Sequence, residues 1–314
     1  MVASFPLGIY TIFFTNLATP PITSALIVRD LGVFVGLYSF NLPVSISLGA
    51  LFAILIVIYA ALFLYAGKQG PGAAHAMKAS LTQGFDALYG SPLVVTVMAL
   101  GATIFLIGIL DLLLSAVNVP TGNLTGDPLE IFVSLTLAPL REEFGFRVAF
   151  IGLAAFLIMV WTSPRRATKA LWRPSVIYDG GRADIVKKTI LYFALAASAV
   201  LFGLAHVLPG STWQVGKVPQ AALAGAVLGL LYIQYGFHAA VLLHWGVNYF
   251  GTVFAFFGQG FWGVPWSSSP GTLLDQFVAL DLIILLGLTS FVLLSYKFLR
   301  RYYKVASSAQ LGHI

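Results

Sequence analysis

The stretch Leu137 Ala138 Pro139 Leu140 Arg141 Glu142 Glu143 Phe144 Gly145 Phe146 Arg147 Val148 Ala149 Phe150 places two adjacent carboxylates and two guanidinium groups inside an apolar run. Only three glutamates occur in the whole chain, at 130, 142 and 143. Of its 314 residues, 59% are hydrophobic and 9% charged, where an ordinary soluble domain carries about 25% charged residues. The mean hydropathy is +0.92. That composition belongs to a chain that crosses a membrane several times. An ionisable side chain at the bilayer centre costs about 2.5–3.5 kcal/mol on insertion scales. Two of them side by side therefore mark a site rather than filler.

Outward from this stretch, apolar runs of about 20 residues define candidate spans. They lie at about 7–28 (interrupted by Pro20-Pro21), 44–66, 92–117, 129–161, 188–207, 219–235, 238–257 and 276–296. The expected fold is all-α, a polytopic membrane protein of about eight transmembrane helices around an intramembrane active-site cavity. Eleven of the 17 basic residues fall in two segments, the loop 162–188 and the C-terminal tail. The positive-inside rule places both in the cytoplasm, and the four spans between them return the chain to the same side. The net charge of +6 sits at these membrane edges and does not suggest nucleic acid. Without cysteine, thiolate catalysis, disulfides and cysteine-held metals are excluded. Gly225 and Gly229, at GxxxG spacing, suggest close helix packing.

Helical spacing sorts the polar residues. Glu143 and Arg147 are four apart and share a face, so they are expected to pair. Glu142 is turned about 100° away and is left to take a proton from water. Arg141 projects elsewhere on the helix. Phe202 and His206 are again four apart, so the phenyl ring can pack beside the imidazole. His244 and Asn248 project together from the next-but-one helix, and two donors aimed at one point are what an oxyanion requires. Asp111 and Asp281 have no second polar residue at helical spacing and are expected to be structural or interfacial.

EExxxR (Glu142, Glu143, Arg147), FxxxH (Phe202, His206) and HxxxN (His244, Asn248), in that order on separate helices, resemble the motif set of the CAAX-processing endopeptidase and bacteriocin-processing family of intramembrane proteases. The resemblance covers about 129–257. It implies a peptidase whose best-known branch trims the C-terminus of prenylated CaaX proteins. It further implies that Glu142 and His206 activate water and that His244 and Asn248 stabilise the oxyanion. Glu143, Arg147 and Phe202 are implied in support.

The expected organisation is therefore N-terminal transmembrane helices over 1–128, a catalytic core over 129–257, and a last transmembrane helix with a basic tail over 258–314. The expected partners are the lipid bilayer and a peptide or prenylated protein, with no nucleic acid. No cofactor is favoured. HExxH is absent, although Glu142, His206 and His244 together are a set that could hold zinc. The competing class is a non-catalytic scaffold or transporter retaining the same fold; a transporter would show broken helices in matching halves, and none are evident.

Overall fold

The computed structural model of the chain describes residues 4–15, 27–178, 185–208, 212–263, 284–297 and 299–300. Among these, the helices are α1 (Ser4–Phe14), α2 (Leu48–Lys68), α3 (Ala73–Gln83), α4 (Pro92–Ala116), α5 (Pro128–Thr162), the short α6 (Ala167–Trp172), α7 (Ile185–Ala205), α8 (Lys217–Tyr235), α9 (Phe237–Trp262) and α10 (Ile284–Lys297). A two-stranded antiparallel hairpin, β1 (Ile27–Val35) and β2 (Tyr38–Ser47), precedes α2. In hydrocarbon every backbone polar group needs an internal partner, which long apolar sequences achieve by forming helices.

Among the described residues, six helical stretches are long and apolar enough to cross a membrane: Leu48–Gln83, Pro92–Ala116, Pro128–Thr162, Ile185–Ala205, Lys217–Tyr235 and Phe237–Phe261. The expected count of eight is not confirmed among the described residues. The first candidate, 7–28, contains a helix of only 11 residues, about 16 Å at 1.5 Å per residue and too short to span. Its last two residues, Ile27 and Val28, belong to β1. Of the final candidate, 276–296, the described part is the 14-residue helix Ile284–Lys297. Asp281, residues 179–184 of the basic loop and residues 301–314 of the tail lie outside the described residues. The second candidate begins at Leu48 rather than 44, because Tyr38–Ser47 is a strand that alternates apolar and polar residues. Ser47 then caps α2, its hydroxyl accepting from the Ala50 amide at 3.3 Å.

Central α9 packs against α1, α2, α4, α5 and α8. Its residues Ala239 to Leu243 and Trp245 are fully buried, as are Tyr249 and Phe256. It joins two apolar clusters: one contains Tyr59, Phe132, Trp245 and Tyr249, and the other Phe146, Ile151, Phe202 and Tyr232. Outside the bundle, large apolar side chains such as Val57, Leu112, Trp161 and Phe193 are exposed, as a lipid-facing surface requires.

The hairpin lies against the middle of α5. A Cβ on Gly145 would sit 2.1 Å from the Phe34 carbonyl oxygen, so only glycine admits this contact. The Gly36 amide donates to the Gly145 carbonyl at 3.3 Å. Arg141 Nη1 donates to the Gly32 carbonyl at 3.2 Å, and its guanidinium lies 5.5 Å from the Phe34 ring centroid. Arg141 thus ties α5 to the hairpin.

The connections sort into two faces. The 117–127 and 206–216 connections meet, with Gln214 N donating to Thr121 O at 3.1 Å and Gly216 N to Pro120 O at 2.9 Å. On the opposite face, the Ser175 hydroxyl donates to Gln234 O at 3.3 Å, and Arg300 pairs with Asp86 at 2.5 Å. Lys297 lies 4.0 Å over the ring of Tyr89, whose carbonyl accepts from Tyr235 Oη at 3.1 Å. The described parts of both basic segments therefore share one face.

Candidate active site

Pro139 lies inside α5, where it withholds a backbone donor. Four residues later the helix widens: Glu143–Gly152 is a π-helix, flanked by α-helix on both sides. Such segments are rare and frequently occur at functional sites. A wider turn rotates successive side chains by less than the α-helical ~100°. As a result Glu142 and Glu143, expected on separate faces, both approach His244.

Glu143 is the hub of this arrangement. It is fully buried, as is Arg147, whose Nε lies 3.1 Å from Glu143 Oε2, the pairing that their spacing predicts. The two groups are close but not aligned for a hydrogen bond. The Arg147 guanidinium is held instead over the Phe202 ring, 4.4 Å from its centroid. Glu143 Oε1 accepts from His244 Nδ1 at 2.8 Å, a contact invisible to helical spacing because it joins α5 to α9. On the other side of the imidazole, His244 Nε2 lies 3.7 Å from Glu142 Oε2. The Glu142 side chain is 22% exposed. Glu142 is thus not isolated as expected, but shares His244 with its neighbour.

Phe202 organises the histidines. Its ring is edge-on to His206 at 4.9 Å and perpendicular to His244 at 5.6 Å. His206 sits just past the end of α7, where its Nδ1 donates to the Phe202 carbonyl at 2.8 Å. In the neutral ring that bond leaves Nε2 as the acceptor nitrogen.

A cavity of about 60 Å³, room for several waters, is lined by Phe202, His206, His244 and Asn248 among others. Glu142 is not among its lining residues and reaches the cluster through His244. Sequence reasoning missed three polar residues on these walls: Thr103 of α4, and Lys217 and Gln220 of α8. It also missed a buried chain beside Asn248, in which Tyr59 Oη donates to Thr136 O at 2.8 Å and the Thr136 hydroxyl bonds to the Tyr249 hydroxyl. Asp111 is a structural partner, as expected; it accepts from Gln220 Nε2 at 2.9 Å. Glu142, His206 and His244 are not arranged as zinc ligands. Among the described residues no three His, Asp or Glu side chains are grouped to hold a metal ion.

Fold and cluster define a polytopic membrane protein with a buried carboxylate–imidazole site inside its helical bundle. Residues 124–250 match the family model described as Rce1-like, type II CAAX prenyl endopeptidase. The resemblance drawn from the three motifs therefore holds over the segment that carries them, and it points to a protease of the CAAX type. No curated protein and no solved structure matches the chain.

Proposed function

We propose that the protein is an intramembrane endopeptidase that hydrolyses a peptide bond near the C-terminus of a membrane-associated protein or peptide, of which prenylated CaaX chains are one candidate class. The catalytic unit is taken as 129–257, flanked by transmembrane helices over 1–128 and by the last helix and tail over 258–314. The observation that carries the proposal is the pairing of His244 with both Glu142 and Glu143 beside a cavity shared with His206 and Asn248.

In this scheme a water is held between Glu142 and the Nε2 acceptor of His206. The gap of 3.7 Å between Glu142 and His244 is too long for a direct hydrogen bond, which leaves the Glu142 carboxylate able to turn to a water. Glu142 takes a proton as the water attacks the scissile carbonyl and returns it to the amine nitrogen as the C–N bond breaks, releasing the C-terminal fragment. His244 and the Asn248 amide donate to the oxygen that becomes negative. Because Nδ1 already donates to Glu143, a His244 that also donates from Nε2 carries positive charge, which Glu143 and Glu142 complement. Arg147, 3.1 Å from Glu143 Oε2, holds that carboxylate in place. No step requires a metal.

The test is hydrolysis of prenylated and unprenylated peptides by the purified protein, followed by mass spectrometry. Wild type should release a C-terminal fragment, and Glu142→Gln, folded to the same extent, should not. Equal turnover by the two proteins, or no cleavage of any peptide by wild type, would overturn the proposal.

A further inference from the structure

Away from the cavity, one buried polar atom has no role in the scheme above. His238, in the first turn of α9, is 6% exposed, and its Nε2 has no hydrogen-bond partner among the described residues. A buried ring nitrogen normally has a partner, and one held without it marks the place of a group that comes from outside the chain.

The surroundings of His238 are cationic. The first amides of α9, a 26-residue helix, lie at this end, with the positive end of its dipole. Arg173 packs against the same helix start: a Cβ on Gly236 would stand 3.4 Å from the Arg173 Cβ. Arg173 is also near enough for its charge to act on His238. It is exposed, its Nε donates to the Ser175 hydroxyl at 3.1 Å, and no carboxylate pairs with it among the described residues. Across the seam the His238 ring meets that of Tyr65, near the end of α2, perpendicular at 4.8 Å. Lys68, the last residue of α2, is exposed one turn further on.

The neighbouring surface identifies the carrier of the anion. Val57, Ala61, Leu64 and Lys68 recur at helical spacing on α2 and are all exposed, so Lys68 ends a lipid-facing stripe. Tyr65 and Trp172, 57% and 43% exposed, flank the seam as interfacial aromatics do. The seam lies on the basic face of the bundle, beside the Ser175–Gln234 hydrogen bond. A basic seam between helix ends at that level suits the phosphate of an anionic lipid.

We propose that His238 and Arg173, with Lys68 at the rim, bind the phosphodiester of an anionic phospholipid headgroup where α2 ends and α9 begins. Tyr65, more than half exposed, turns aside to let a phosphate oxygen accept from His238 Nε2, and the first amides of α9 face the same anion. The bound lipid braces α2 against the helix that carries His244 and Asn248.

The test is native mass spectrometry of the full chain in detergent, titrated with phosphatidylglycerol, phosphatidylcholine or inorganic phosphate. Wild type should bind one phosphatidylglycerol about tenfold or more tightly than phosphatidylcholine, as a hydrogen bond to a charged group provides. Arg173→Gln and His238→Gln should each lose most of that preference. Arg165→Gln, which removes another exposed cation of the same basic loop, should keep it. If the buried substitution His238→Gln unfolds the protein, the exposed Arg173→Gln still decides. Equal binding of the two lipids by wild type overturns the proposal, as does a preference that survives Arg173→Gln or falls equally in Arg165→Gln. Inorganic phosphate binding as tightly as phosphatidylglycerol overturns the lipid assignment.

Discussion

At the scale of single residues, Glu143 links two elements: it is ion-paired with Arg147 one turn along its own α5 and hydrogen-bonded to His244 on α9. Removing its charge leaves Arg147 buried and uncompensated, a change that typically costs about 3–5 kcal/mol. Glu143→Gln should therefore lower the denaturation midpoint of the purified protein substantially, while the partly exposed Glu142→Gln should unfold close to wild type. A midpoint for Glu143→Gln equal to wild type would remove it as the structural hub. Asn248 carries the opposite expectation. If it donates to the oxyanion, Asn248→Ala should lower kcat by roughly 10²–10³, with KM nearly unchanged because the charge appears only in the transition state. Chelator treatment should leave turnover intact. Loss of activity on chelation, restored by zinc, would require a metal mechanism. The pairing of Glu143 with Arg147 was legible because four-residue spacing is local geometry. The bond from Glu143 to His244 was not, because those residues are 101 positions apart.

Among the elements, the glycines of α8 decide how closely α7 approaches. A Cβ on Gly225 would meet the Phe202 ring at 3.1 Å and the Ala199 Cα at 3.2 Å; one on Gly229 would meet Leu195 at 3.1 Å. Their GxxxG spacing is therefore a packing face against α7, as expected from sequence. Gly225→Val should cost about 1–3 kcal/mol by overpacking. It should also lower kcat, because α7 carries Phe202 and His206 into the cavity. Unchanged turnover and melting would show that the approach is not critical. Two elements escaped the sequence reading for different reasons. The strict alternation of Tyr38 to Ser47 was present as a signal, but the apolar content of 44–47 merged it with the following helix. The π-helical stretch after Pro139 leaves no apolar period of its own in the sequence, and it coincides with the hairpin's contact at Gly145.

At the scale of the whole molecule, the six spans among the described residues give the bundle two faces of different character. The basic face holds α6 and the end of α10; the other holds the linked 117–127 and 206–216 connections, near which Lys217 and His206 lie. Under the positive-inside rule the basic face is proposed to be cytoplasmic, so the cavity opens toward the opposite side. The natural lack of cysteine makes this directly testable. Thr125→Cys and Lys169→Cys, both at exposed positions, should react with a membrane-impermeant thiol reagent from opposite sides of sealed vesicles, Lys169→Cys from the cytoplasmic side. Labelling of both from one side would contradict the fold; the reversed pattern would turn the cavity toward the cytoplasm.

The sequence alone determined that the chain is a helical membrane protein, where most of its long helices run, and which seven side chains are candidates for the site. Those properties rest on hydropathy and on neighbours within one helical turn, both local. Only the tertiary structure decided that the N-terminal segment forms a hairpin, that both carboxylates meet one imidazole, and that a lysine shares their cavity. Each of these depends on contacts between elements far apart in the chain, where packing and buried charge, rather than spacing, choose the partner.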